Sequence, residues 1–131
     1  MKMINFDDRM KKLRSVNGYL GSAVLNYSGE TLYIDEENTG TDIGYASAIF
    51  NDSFRSINEA SLDIGFSDIS SLETKTEDGH VFLMKSAGAN SSDTFSKIDI
   101  FCILRDDGNI ALAKMVMDKA AKIISEELAS I

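Results

Sequence analysis

One cysteine and one histidine occur in the 131 residues. Cys102 has no second thiol with which to close an internal disulfide, which fits a reducing compartment. A zinc centre needs about four N, S or O ligands at workable spacing, and no Cys/His cluster exists to supply them. A Cys/His nucleophile pair would have to be Cys102 with His80. His80 falls in the turn Glu77-Asp78-Gly79-His80, whereas Cys102 lies in an apolar stretch where a thiol is usually an inert core group. Basic residues are also short: 13 Lys and Arg against 21 Asp and Glu leave a net charge of -8. Only Lys11, Lys12 and Arg14 cluster, at a helix end where they answer the helix dipole, so no nucleic-acid partner is expected. No apolar run approaches the ~18 residues needed to span a bilayer, and the N-terminus meets Asp7 and Asp8 before any apolar core of signal-peptide length. The expectation is a cytoplasmic protein without membrane insertion.

Catalytic and cofactor signatures are missing as well. There is no Gly-x-x-x-x-Gly-Lys-Ser/Thr phosphate loop, and Gly18 with Gly21 lacks a third glycine and leads into a strand, so it is not a dinucleotide fingerprint. Asp35-Glu36-Glu37 lacks the alternating ligand spacing of a calcium loop. Asp106 and Asp107 stand where a helix begins and read as capping groups. Met115 and Met117 read as core or flexible packing, not as a cofactor box. Neither an enzyme nor a bound cofactor or metal is expected.

What is present is an ordinary globular composition, 44% hydrophobic and 26% charged, in a chain long enough to form one domain over residues 1–131 with a core of its own. Met3, Phe6, Met10 and Leu13 make one stripe of a first helix from about Met3 to Val16, and Asn17-Gly18 supplies the stop. Tyr19 to Leu25 carries apolar or small residues on both alternating faces, Leu20 and Val24 on one and Tyr19, Ala23 and Leu25 on the other. Such a strand is central and covered by helices on both sides. Gly21 inside it marks the close approach of another backbone or a bulky neighbour. A turn at Gly29 returns the chain as Thr31 to Ile34, and Thr41 or Asp42 caps a long second helix from Asp42 to Ile64. Ile43, Ala46, Phe50, Ile57 and Ile64 share one face of that helix, along which Ala46, Ser53 and Ala60 recur every seventh residue. Small residues in a row admit a close neighbour, either the sheet or a second copy of the helix.

Ile69 to Thr76 has strand propensity but little apolar content, which is the pattern of an edge strand. An Asp-Gly turn leads into Val81 to Met84, a polar loop spans Ala87 to Ser96, and Ile98 to Leu104 is a second central strand. The last helix runs from Asn109 to Ala129, with an expected Asp118–Lys122 pair. The order helix, strand, strand, helix, three strands, helix implies an α/β (α+β) sandwich. It has a five-stranded antiparallel sheet, the first and last helices on one face and the long helix on the other. One helix cannot easily cover such a face, so apolar surface is left beside it for an interface.

Gly18, Gly21 and Gly29 around the first hairpin, the element order from Met3 to Ala129, and Asn109-Ile110-Ala111-Leu112 at the start of the last helix resemble the roadblock family of dynein light chains and their prokaryotic relatives, a profilin-like fold. The loop from Ala87 to Ser96 is longer than in many members. The resemblance implies a homodimer built through the third strand and second helix. Carried onto this sequence, the pairing strand holds Leu72, Thr74 and Thr76, and the helix contact uses Ala46, Phe50, Ser53 and Ile57. It further implies a noncatalytic regulator or scaffold, because several prokaryotic members bind Ras-like small GTPases across the dimer surface while eukaryotic relatives are dynein subunits. Arg55 is on the polar side of the second helix and reads as a solvated arginine before an arginine finger. Two other readings stay open: a small-ligand sensor domain, since related folds host pockets, and a purely structural subunit.

Overall fold

The structure is a computed structural model and describes residues 3–37, 39–88 and 94–130. Asn5 starts the first helix, α1 (Phe6–Arg14), by accepting a hydrogen bond from the Asp8 amide, with Asp7 and Asp8 in the first turn and Lys11, Lys12 and Arg14 in the last. Met10 and Leu13 are buried, but Met3 precedes the cap and is 86% exposed, so the apolar stripe is one turn shorter than its periodicity suggested. The strands are β1 (Tyr19–Asn26), β2 (Thr31–Asp35), β3 (Ser71–Lys75), β4 (Val81–Ala87) and β5 (Ile98–Leu104). The long helix α2 (Ile43–Asp63) joins β2 to β3, and α3 (Ile110–Ala129) closes the domain. The sheet order is β2-β1-β5-β4-β3 and every neighbouring pair is antiparallel. Of the loop expected between Ala87 and Ser96, residues 89–93 lie outside the described residues, and Thr94–Ser96 form a single 3-10 turn.

The two central strands are covered on both sides. Met10, Leu13, Val24, Ile100, Leu104, Met117 and Ile124 form the core beneath α1 and α3. Ala23, Leu25, Ile43, Phe54, Met84 and Phe101 form a second core beneath α2. One detail departs from simple alternation. Tyr19 pairs with Leu104 and Gly21 with the adjacent Ile103, so Leu20 is an extra residue in a β-bulge. The bulge reverses parity: Tyr19 packs in the same core as Val24, and Leu20 packs with Ala23 and Leu25, the opposite of the strict period-two assignment.

Two glycines are required by contact. A Cβ on Gly21 would stand 2.9 Å from both the Asp35 carbonyl oxygen and Ile43 Cδ1, so a backbone and a bulky side chain both approach there. Gly18, at φ +88°, would place a Cβ 2.4 Å from Gly108 Cα, because the turn after α1 is stitched to the turn before α3 by Arg105 N–H to Gly18 O and Asn109 N–H to Asn17 O.

The ends of α3 also differ from expectation. Its cap is Asn109, which accepts from the Leu112 amide, while Asp107 pairs with Arg105 at 3.1 Å. Asp118 reaches Lys85 of β4 at 3.0 Å instead of Lys122. Lys85 is largely covered and held in place by the sheet, so it competes well against a freely rotating lysine on the same helix. Lys114 similarly pairs with Glu73 of β3, so α3 is tied across the β3/β4 hairpin. Among the described residues no helix is long and apolar enough to cross a membrane, and no group of three or more His, Cys, Asp and Glu could hold a metal ion.

Candidate functional site

The exposed face of α2 and the free edge of β3 form the surface to which the sequence reading points. Asp42 caps α2 by accepting from the Tyr45 amide, and Gly65, at φ +93°, ends it with a Phe66 N–H to Ser61 O bond of 2.9 Å. The chain is then pinned back along the helix. Asn58 donates to Asp68 Oδ1 at 2.9 Å and accepts from the Ile69 amide, while Ser61 donates to Ser67 O at 2.7 Å. These bonds deliver β3 to the sheet edge, where among the described residues it pairs only with β4.

The stripe of α2 that enters the core is Ile43, Ser47, Asn51 and Phe54, rotated from the one the widest apolar pattern indicated. Ala46 and Phe50 sit half-buried at its margin, and Phe50 stacks on Phe82 of β4 and lies tilted against Phe101 of β5, with ring centroids 4.8 and 5.2 Å away. Phe50, placed at a contact between copies by the sequence reading, also packs α2 onto its own sheet. Ser53 and Ile57 are exposed. Leu72 and Thr74 share the α2-facing side of β3; Leu72 is half-buried against the core and Thr74 is open. Thr76 lies one residue beyond β3, where its amide donates to His80 O and its hydroxyl bonds Asp78, so it is part of the hairpin turn and not of the pairing strand.

Tyr45, Ile49, Ser53, Ile57, Ala60 and Ile64 recur every three or four residues and are all exposed, Tyr45 by 67% and Ile64 by 72%. With Phe66 just past the helix end, also exposed, they make an apolar ridge on α2, while Leu62, exposed too, lies on the other flank of the helix. Sequence reasoning blended this row with the one facing the sheet and missed Tyr45 and Phe66. The available signal was the spacing 45, 49, 53, 57, which cannot share a single narrow stripe with Ile43, Ser47 and Phe54.

Beneath α2 the apolar core gives way to a polar slot of about 40 Å³ lined by Tyr27, Asn51, Arg55, Asn58, Lys97 and Asp99 among others. That volume accommodates one or two waters, far below the roughly 300–1,000 Å³ of small-molecule sites. Asp99 is 7% exposed and its Oδ1 has no hydrogen-bond partner among the described residues. Burial pushes its carboxyl above the usual range, opposed by a hydrogen bond with Ser86 and by the charges of Lys97 and Arg55. Arg55 itself is about half exposed and lies 3.7 Å from Asp52. Cys102 is fully buried, and desolvation pushes its thiol far above the range in which a thiolate forms.

No family model matches the sequence, and no curated protein does. Solved structures match the fold along nearly its whole length. MglB of Myxococcus xanthus superposes with a TM-score of 0.80 over 100% of both chains at 10% identity. A Roadblock/LC7 domain from Streptomyces avermitilis superposes with a TM-score of 0.75 at 13% identity, covering 94% of this chain and 97% of that one. The chain has the roadblock fold. A further MglB, in a tetrameric arrangement, matches this chain with a TM-score of 0.77 at 9% identity over 94% of this chain and 87% of its own. At such identities shared backbone geometry is what the likeness carries, and function has to be argued from this domain's own surface.

Proposed function

We propose that this roadblock domain is a noncatalytic, homodimeric regulatory or scaffold module that docks a Ras-like small GTPase. The observation that carries the reading is the exposed apolar ridge of α2 beside the unpaired edge of β3. An uncovered strand edge next to apolar side chains suits pairing with a second copy about a two-fold axis, with β3 against β3 and α2 against α2. The MglB in a tetrameric arrangement is a self-assembling example of the same fold. The GTPase as partner class rests on the family resemblance of the sequence. Any stimulation of hydrolysis would act by positioning the GTPase's own residues, with Arg55, about half exposed beside Asp52, read as an ordinary solvated arginine.

Light scattering behind a sizing column tests the dimer. Two chain masses are expected for the wild type and one for Ile57→Asp, which places a charge on the exposed ridge. Leu72→Asp should also split the dimer, but Leu72 packs on its own core, so Ile57→Asp is the cleaner variant. A monomeric wild type would refute the reading. Given a dimer, pull-downs with Ras-like GTPases loaded with GDP or a GTP analogue test the partner class, and no retention of either form would remove it.

A further inference from the structure

On the opposite side of the sheet from α2, α1 and α3 enclose an open groove of about 730 Å³. Its floor is apolar, made by Leu112, Met115, Val116 and Ile123, and Met115 is 70% exposed. Arg9, Lys11 and Lys12 of α1 line it from the other side together with one acid, Asp8, which lies 3.7 Å from Arg9, and Lys119 stands among the apolar residues of α3. Arg9 is paired with Glu127 and Asp8, but Lys11, Lys12 and Lys119, like Lys75, Lys97 and Lys122 elsewhere, make no ion pair with any described residue. A chain of net charge -8 thus gathers uncompensated positive charge around one of its exposed apolar strips.

We infer that this groove is a second docking site, for an acidic amphipathic helix of a partner protein. Charge complementarity selects the occupant: an acidic segment is repelled by most of this surface and attracted here, where lysines flank an apolar floor. Shape selects a helix over a bilayer, because the apolar side chains lie in a channel between two helices. From Leu112 to Ile123 the floor spans 12 residues of helix, about 18 Å, which is the length of three to four helical turns. Helix-in-groove binding presents apolar anchors at i, i+3, i+4 and i+7, and acids on the flanks would meet Lys11, Lys12 and Lys119. The site is independent of the proposed dimer, which uses α2 and β3 and leaves this face open.

The test titrates the 131-residue chain with a fluorescein-labelled 18-residue peptide bearing leucines at helical spacing and glutamates on its flanks. The same peptide with lysines in place of glutamates, and vesicles of phosphatidylglycerol, are run beside it. Binding of the acidic peptide alone is expected, weakened about tenfold in the Lys11→Glu/Lys12→Glu/Lys119→Glu variant and also lost in Met115→Glu. All four positions are exposed, and an unchanged dimer mass and circular dichroism spectrum show that fold and dimer persist, which separates this outcome from failure of the α2 interface. Equal binding of both peptides, binding by neither, preference for the vesicles, or self-association through this face that the triple variant abolishes would each overturn the inference.

Discussion

Replacing Tyr19 with phenylalanine should loosen the corner where β1, β2 and the start of α2 meet. The Tyr19 hydroxyl lies 2.6 Å from Asp35 Oδ2 and 2.7 Å from Ser22 Oγ. An ionised carboxylate can only accept, so tyrosine gives its one proton to Asp35 and accepts from the Ser22 hydroxyl. Tyr19 is 8% exposed, Asp35 9% and Ser22 fully buried, so water cannot readily replace the missing oxygen. A hydrogen bond to a charged group is worth about 1.5–3 kcal/mol, and the stranded Ser22 hydroxyl adds about 1 kcal/mol. Urea titration should therefore show Tyr19→Phe destabilised by about 2–4 kcal/mol, which lowers the melting midpoint by roughly 5–15 °C in a chain of this size.

The same variant has a signature in alkali. Burial, reinforced by Asp35, pushes the Tyr19 phenol far above its usual range. Above about pH 10 the unfolded chain releases this proton while the native state keeps it, so wild-type stability is fully present below that pH and falls as pH rises beyond it. Tyr33, also raised by burial, is common to both proteins. The gap between wild type and Tyr19→Phe should accordingly narrow above about pH 10. A variant within about 0.5 kcal/mol of wild type at pH 7, or a gap independent of pH, would refute the reasoning.

Three further outcomes are expected. Asp99→Asn should be at least as stable as wild type at pH 7, because the native carboxyl is raised; wild-type stability falls from about pH 4 up to the native value, so chemical melts at pH 3.5 should show the advantage shrinking. Gly18→Ala combines a left-handed backbone with a Cβ driven onto Gly108, and should cost about 2–4 kcal/mol in a thermal melt without altering the mass of the assembly. Phe50→Ala should remove about 2–3 kcal/mol by detaching α2 from Phe82 and Phe101; a loss of dimer with full monomer stability would instead place Phe50 at the contact between copies.

Periodicity and punctuation in the sequence determined the elements and their layers. Central strands apolar on both faces demand two covering layers, glycines stop helices and turn hairpins, and a strand poor in apolar residues belongs at the edge; Tyr19–Asn26, Ile98–Leu104 and Ser71–Lys75 take those places. Only the tertiary structure decided which side of each element faces which neighbour. A single bulge at Leu20 reverses side-chain parity, and no local signal marks it because it arises from pairing with β5. The roll of α2 was likewise undetermined: two adjacent apolar rows wind around it, and the packing of Phe50 on Phe82 and Phe101 turns one inward and leaves Tyr45, Ile49, Ile57 and Ile64 outside. Lys119 joins the neighbouring Lys11 and Lys12 for the same reason, being distant from them in sequence and near them only once α1 and α3 lie side by side on the sheet.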